Sequence, residues 1–155
     1  MNSEELIPDK EYKKILESVP ICCVDIVVRN KEGEILLIRR KNEPMKNLWW
    51  FPGGRVYKGE KLHEAAIRKV YEETGLKVAI EKELGVYETI FENGPFHNLG
   101  GGVHTVNITF TAKPIKENSR MRLDENHADF KWISNVDEDL HPHIKKILVE
   151  NKIFT

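Results

Sequence analysis

The sequence has only two cysteines, and they stand next to each other at Cys22 and Cys23. Neighbouring residues of a strand point to opposite faces, so this pair is suited neither to a disulfide framework nor to a metal-binding knuckle. We therefore predict that both are small core residues of a protein in a reducing compartment.

Long apolar runs and an excess of charge of one sign are also missing. No apolar stretch approaches membrane-spanning length, and residues 1–5 lack the features of a signal peptide. The formal net charge is −1, which gives no electrostatic reason to expect nucleic acid as a partner. These absences favour a cytoplasmic protein that binds neither membranes nor nucleic acids.

The remaining composition is typical of one globular domain. The chain has 155 residues, of which 40% are hydrophobic and 32% charged, and it shows no repeat, low-complexity tract or linker. This length is sufficient to bury a core. We therefore expect a single domain over residues 1–155.

Periodicity and turn residues divide the chain into short helices and strands. We expect the first two strands, separated by the turn residue Gly33, to form a hairpin. A break at Leu84 and Gly85 should interrupt the long third strand, and residues 93–102 should form a glycine-rich loop. The predicted helices are 9–18, 61–71 and 137–151, and the predicted strands are 21–28, 34–39, 77–92, 104–112 and 129–133.

The most informative stretch is residues 53–76, GGRVYKGEKLHEAAIRKVYEETGL. Its opening glycine pair allows a sharp bend and close approach to a ligand. The following segment, 61–71, contains neither glycine nor proline and is rich in helix-forming residues. Gly75 stands where the C-terminal cap of that helix belongs.

One face of this helix carries Lys69, Glu72 and Glu73, because successive residues are rotated by about 100°. Adjacent carboxylates on a rigid helix favour a nearby cation, and Mg²⁺ is the hard, oxygen-seeking candidate that proteins share with substrate phosphates. The alternative is a solvated helix whose acids only pair with Arg68 and Lys69.

Residues 54–76 resemble the Nudix box, G-x5-E-x7-R-E-U-x-E-E-x-G-U, in which U is bulky and apolar. Lys69 departs from the pattern, since the family has the first Glu of its R-E-x-x-E-E core there. The resemblance implies an α/β fold, the Nudix α/β/α sandwich with a mixed β-sheet and a central catalytic-loop helix. It also implies a hydrolase that uses Mg²⁺, with Mn²⁺ as an alternative. The matching residues are Gly54, Glu60, Arg68, Val70, Glu72, Glu73, Gly75 and Leu76.

The altered box, the turn at 52–56 and the segment Glu125-Asn126-His127 together resemble one Nudix branch, the GDP-mannose mannosyl hydrolases. The resemblance spans roughly residues 10–150. In that branch water attacks the anomeric carbon of a nucleotide sugar, whereas ordinary Nudix enzymes direct water to phosphorus. Lys69 fits the branch in lacking a carboxylate, although those enzymes tend to have an apolar residue there.

The resemblance to that branch assigns a general base and a metal site. His127 would remove a proton from water, and an imidazole suits this near neutral pH. Glu73 and the carbonyl of Gly53 would bind Mg²⁺. Asn126 stands where the branch has a longer Gln ligand, so it would bind the metal directly or through water. Glu72 would have an auxiliary metal role.

Further residues are assigned to the substrate in the same way. Arg40 and Arg55 would bind the diphosphate and stabilise the charge of the leaving group during catalysis. Asp25 interrupts an apolar strand, and the resemblance implies that it pairs with an Arg and with substrate. His104 would contact substrate beside Thr105, which stands where the branch has Tyr. Arg68 is expected to hold Glu60 or Glu73, and the branch implies a homodimer.

Three functions therefore stay open. The leading one is hydrolysis of GDP-mannose to GDP and mannose, favoured by Lys69 and His127. The alternative is a conventional pyrophosphatase acting at phosphorus on a nucleotide sugar or ADP-ribose, favoured by Glu72 and Thr105. The third is a noncatalytic nucleotide-sensing module, which would require loss of metal binding.

Overall fold

A computed structural model describes residues 7–154 and arranges ten elements as two β-sheets flanked by helices. The four-stranded mixed sheet has the order β4-β1-β6-β5, and the three-stranded sheet has the order β3-β2-β7. The helices are α1 (Asp9–Ser18), α2 (Leu62–Thr74) and α3 (Pro142–Glu150). The strands are β1 (Ile21–Val28), β2 (Ile35–Arg40), β3 (Trp49–Trp50), β4 (Gly53–Arg55), β5 (Val78–Phe91), β6 (Val103–Pro114) and β7 (His127–Ile133).

Alternating apolar side chains of β1 and β2 pack against α2 on one side and α3 on the other. The core against α2 includes Val24, Ile26, Leu36, Ala65, Ala66 and Val70. The core against α3 includes Val27, Ile35, Leu37, Ile144, Ile147 and Leu148. This period-two pattern, buried on both faces, explains why both strands are nearly continuous apolar runs. The α/β/α arrangement expected from the sequence is confirmed.

The expected hairpin of the first two strands is wrong. Strand β1 pairs with β4 on one edge and in parallel with β6 on the other, so neither edge remains for β2. Strand β2 lies in the other sheet, and the turn between the two strands is closed by an isolated bridge between Arg29 and Ile35 and a hydrogen bond from the N–H of Asn30 to the carbonyl of Glu34. Gly33 does adopt the left-handed backbone expected of a turn, with φ of +81°.

Other boundaries differ in ways that matter for the site. The short strands β3 and β4 were not predicted, and β7 begins at His127, two residues earlier than expected. Helix α3 begins at Pro142, not at residue 137. The expected break near Gly85 is a bulge within a continuous β5. Helix α2 ends as predicted, with Gly75 at φ of +77°.

The two cysteines are free thiols on opposite faces of β1. Cys23 is buried, but Cys22 is exposed, so the prediction that both are core residues is wrong for Cys22. Within residues 7–154, no helix is long and apolar enough to cross a membrane.

Candidate active site

A cavity of about 330 Å³ opens between the ends of β1, β4 and β6, helix α1 and the segment that follows β2. Most of the predicted site residues line it, although they are far apart in the chain. Glu72 and His104 are the two that do not. The predicted residues in its wall are Asp25, Arg40, Gly53, Arg55, Glu73, Asn126 and His127, and Lys69 joins them.

Glu73 projects from α2 into the deepest part of this cavity, and only 4% of its side chain is exposed. One carboxylate oxygen, Oε1, accepts a 2.8 Å hydrogen bond from the backbone N–H of Gly53. Burial raises the pKa of Glu73, while the nearby charges of Lys69 and His127 act in the opposite direction. A carboxylate that is buried in this way favours the binding of a cation beside it.

His127 is the first residue of β7, and its imidazole is 1% exposed. Its Nε2 lies 3.3 Å from Oε2 of Glu73, and its Nδ1 lies 2.6 Å from Oδ1 of Asp124. With Nδ1–H donating a hydrogen bond to the carboxylate of Asp124, the other ring nitrogen is directed toward Glu73 and the cavity. The predicted base is therefore held in a defined orientation between two carboxylates.

Asp124 is a site residue that the sequence analysis missed. Its carboxylate also accepts a 3.2 Å hydrogen bond from the N–H of Asn126, as in an Asx turn. Burial raises the pKa of Asp124, but the hydrogen bond and charge of His127 outweigh this, and the pKa lies below its ordinary value. The spacing Asp-x-x-His just before a strand is the signal that could have identified it.

The residues present fit one divalent cation. Ligand atoms of Glu73, Asp124 and His127 lie within 4.8 Å of one another. Because Asp124 and His127 are bonded to each other, Glu73 is the carboxylate left for a cation, and Asn126 adds an amide to the cavity wall. The oxygen of this amide accepts a 2.8 Å hydrogen bond from Nδ2 of Asn42. Carboxylate and amide oxygens match the preference of Mg²⁺.

Glu72 is directed away from this oxygen set. Its carboxylate lies 3.2 Å from the guanidinium of Arg68 and 3.6 Å from Nζ of Lys69. Arg68 is also paired with Glu60 at 2.6 Å, one of the two partners expected for it. The box thus contributes one carboxylate to the cavity, Glu73, while its other acids form ion pairs beside it.

Two arginines supply positive charge at the cavity wall. The guanidinium of Arg55 lies over the rings of Tyr12 and Tyr57, at 5.3 and 5.1 Å. Its Nε and Nη2 are buried and have no hydrogen-bond partner in the described structure. Arg40 donates from Nε to the carbonyl of Pro44 at 3.1 Å. Both side chains are positioned to meet an anionic ligand.

Asp25 is buried in the cavity wall, with 4% exposure. Nε2 of His143 lies 3.7 Å from Oδ2 of Asp25, where an arginine was expected. Burial raises the pKa of Asp25, and His143 partly offsets this. The ring of His143 stacks on Trp50, with centroids 5.1 Å apart, so α3 helps to shape this wall. Nothing in the local sequence around Asp25 pointed to His143.

His104 lies outside the cavity in this chain. It pairs with Glu88 of the neighbouring strand at 2.9 Å, on the exposed face of β6. The next residue, Thr105, lines the cavity instead and hydrogen-bonds to Thr89. Strand alternation separates the two, because β6 presents its odd-numbered residues Val103, Thr105 and Asn107 to the cavity.

Comparison with known proteins identifies relatives along most of the chain. A family model described as NUDIX domain matches residues 22–149. The low-salt glycan biosynthesis protein Agl8 of Haloferax volcanii is 34% identical over 143 residues, covering 92% of this chain and 88% of that protein. The ADP-ribose pyrophosphatase of Methanocaldococcus jannaschii is 34% identical over 146 residues, covering 94% of this chain and 82% of that protein.

Solved structures agree in fold. The MutT NUDIX hydrolase from Burkholderia pseudomallei has a TM-score of 0.67 and 26% identity, covering 86% of this chain and 98% of that one. The MutT protein from Methanosarcina mazei Go1 has a TM-score of 0.69 at 24% identity, covering 87% of this chain and 95% of that one. The second likeness concerns the fold alone.

Proposed function

Because the chain belongs to the Nudix family and is a hydrolase of that family, we propose that it hydrolyses a nucleotide sugar of the GDP-mannose type. Water attacks the anomeric carbon of the sugar, and the nucleoside diphosphate leaves intact. The name of Agl8, a glycan biosynthesis protein, is consistent with a sugar-containing substrate.

The observation that supports this proposal most is the position of His127. Its imidazole is buried in the cavity and bonded to Asp124 at 2.6 Å, and its second nitrogen is directed toward Glu73. Neither of these box positions offers a free carboxylate to act on water, because Lys69 stands at one and Glu72 is paired with Arg68. The base must therefore come from outside the box. His127 is then the base best placed to act on water.

The bond changes of the proposed step balance without a further reactant. The oxygen of water bonds to the anomeric carbon while the bond from that carbon to the diphosphate oxygen breaks. Its electron pair leaves with the nucleoside diphosphate, and the proton of water passes to Nε2 of His127. Arg40 and Arg55 bind the diphosphate and stabilise the negative charge that it gains.

Glu73 would hold the metal ion, with the amide oxygen of Asn126 and the carbonyl of Gly53 as further ligands. A bound Mg²⁺ would supply Lewis-acid stabilisation of the leaving diphosphate. Glu73 also fixes the loop at Gly53 through its 2.8 Å hydrogen bond, so one side chain orders both the metal site and the turn beside it.

The second candidate is a pyrophosphohydrolase that directs water to phosphorus. It is favoured by the ADP-ribose pyrophosphatase of M. jannaschii, which is as similar to this chain as Agl8 is. Under this alternative, Glu73 would remain a metal ligand, and His127 would orient it rather than remove a proton.

Product analysis in ¹⁸O-labelled water separates the two candidates. Incubation with GDP-mannose and Mg²⁺ should give GDP and mannose, with the label on the sugar. GMP and mannose 1-phosphate, with label on phosphate, would establish the alternative. ADP-ribose serves as the second substrate, and no turnover of either would contradict both.

The same assay tests the base. His127→Gln should lower kcat by about 10²–10⁴-fold, the usual contribution of a positioned base, with little change in KM. His97→Gln, at an exposed loop residue, is the matched control and should keep wild-type kinetics. A His127→Gln enzyme with nearly normal kcat would refute attack assisted by this residue.

We also propose that the protein is a homodimer. Strand β5 forms an exposed edge of the mixed sheet, and two of its large apolar side chains, Val86 and Ile90, are 61% and 69% exposed. Such a surface suits pairing with a second copy. Sedimentation at micromolar concentration should give twice the chain mass, and a fully active monomer would contradict the proposal.

A further inference from the structure

Lys69 has an unusual position for a helix lysine, because its side chain runs inward across the glycine turn. A Cβ added at Gly54 would lie 2.7 Å from Cε of Lys69. Only 14% of the lysine side chain is exposed, and it forms part of the cavity wall beside Glu73. The ammonium is therefore held at one place inside the cavity.

The charges around the cavity give this ammonium a function. Three cationic side chains and three carboxylates line the wall, so removal of Lys69 would leave the carboxylates in excess. A nucleoside diphosphate is itself an anion, and such an excess would oppose its binding. The cations are Arg40, Arg55 and Lys69, and the carboxylates are Asp25, Glu43 and Glu73.

Lys69 also stands where a second metal ion would need to bind. Its Nζ lies 3.6 Å from a carboxylate oxygen of Glu72 and 3.9 Å from Oε2 of Glu73. A divalent ion bridging these two carboxylates would meet the ammonium at close range, where repulsion between like charges is strong. The lysine and a second ion therefore exclude each other.

We propose that Lys69 is a substrate-binding residue, whose ammonium binds the diphosphate and takes the place of a second divalent cation. This inference rests on the proposed function to the extent that the substrate contains a diphosphate. It does not depend on whether carbon or phosphorus is attacked. A lysine is a compact cation with three donors, and it suits phosphate oxygens.

Binding of inorganic pyrophosphate in the presence of EDTA tests the first part, because no metal then contributes. Isothermal titration calorimetry should show that Lys69→Met weakens binding by about tenfold or more, the usual scale for loss of a charged hydrogen-bonding partner. Lys69→Arg should stay within about threefold of wild type, since it retains the charge. Lys58→Met removes an exposed lysine of the same segment and should change nothing.

Counting of bound Mn²⁺ by electron paramagnetic resonance tests the second part without any turnover. Wild type should bind one ion per chain in the presence of pyrophosphate. Lys69→Glu exchanges the ammonium for a third carboxylate beside Glu72 and Glu73, and it should bind two. If Lys69→Met fails to fold, as judged by circular dichroism, Lys69→Gln is the second neutral variant.

Two results would overturn the inference. One is that wild type and the neutral variant bind pyrophosphate equally well without metal. Absence of any binding to wild type counts as the same result. The other is two Mn²⁺ ions bound to wild type. Failure of the proposed function would instead be seen as absence of turnover of the nucleotide substrates by wild type, a separate measurement.

Discussion

Replacement of Asp124 by Asn should show whether His127 acts as a positioned base. The variant keeps the size of the side chain but removes the charge that lies 2.6 Å from Nδ1 of His127. A hydrogen bond to a charged group contributes about 1.5–3 kcal/mol, which corresponds to roughly 10- to 150-fold in rate. The side chain of Asp124 is 23% exposed and partly screened by water, so the lower part of this range is expected.

Steady-state kinetics should therefore show kcat lowered by about 10- to 50-fold, with KM within about threefold because Asp124 does not line the cavity. Asp129→Asn, at an exposed position of β7, is the matched control.

The reasoning would be refuted by a kcat within twofold of wild type. A loss confined to KM would also refute it, since that would indicate a role in substrate binding. A purely structural role would instead lower the fraction of folded enzyme, which circular dichroism of the variant would show.

The pH dependence of the free energy of unfolding tests the same contact independently. The folded-state pKa of Asp124 lies below its ordinary value. Its contribution to the free energy of unfolding is therefore present above the unfolded-state pKa and is lost as pH falls through the folded-state pKa. Urea unfolding at several pH values should show that Asp124→Asn lacks this part of the acid-dependent loss.

Three further predictions concern other parts of the site. Glu73→Gln should remove most Mg²⁺-dependent activity, whereas Glu72→Gln should be milder; equal losses in a Mg²⁺ titration would favour a conventional cluster of carboxylates. Gly54→Ala should lower the free energy of unfolding by about 1–3 kcal/mol in urea titrations, because φ is +155° and the new Cβ would lie 2.7 Å from a lysine carbon. Cys22 should react with a thiol reagent in the native protein, whereas Cys23, whose burial raises its pKa to about 12, should react only after denaturation; two fast thiols would contradict this.

Features that depend on local sequence were predicted well. Helix α2 and its end at Gly75 follow from helix-forming residues and a glycine that adopts φ of +77°. Arg68 was expected to pair with Glu60 or Glu73, and it pairs with Glu60 at 2.6 Å. The inward position of Asp25 follows from the apolar run that it interrupts, since such a strand is buried on both faces.

Features that depend on strand partners were not predicted. The hairpin of β1 and β2 was wrong because β1 pairs with β6, about 80 residues further along the chain, and local turn signals do not reveal such pairing. The position of His104 depends on which face of β6 meets the cavity. Alternation along a strand separates neighbours but does not say which of them faces inward.

The sequence by itself determined which chemical groups this protein has, through the glycine turn, the box helix and the departure at Lys69. Tertiary structure alone decided how these groups meet: His127 reaches Glu73 across 54 positions, Asp124 orients the imidazole, and Glu72 is drawn to Arg68. The physical reason is the distance along the chain over which each effect acts. Backbone preference and helical periodicity act over a few residues, whereas the orientation and ionisation of a buried side chain depend on whatever the fold packs around it.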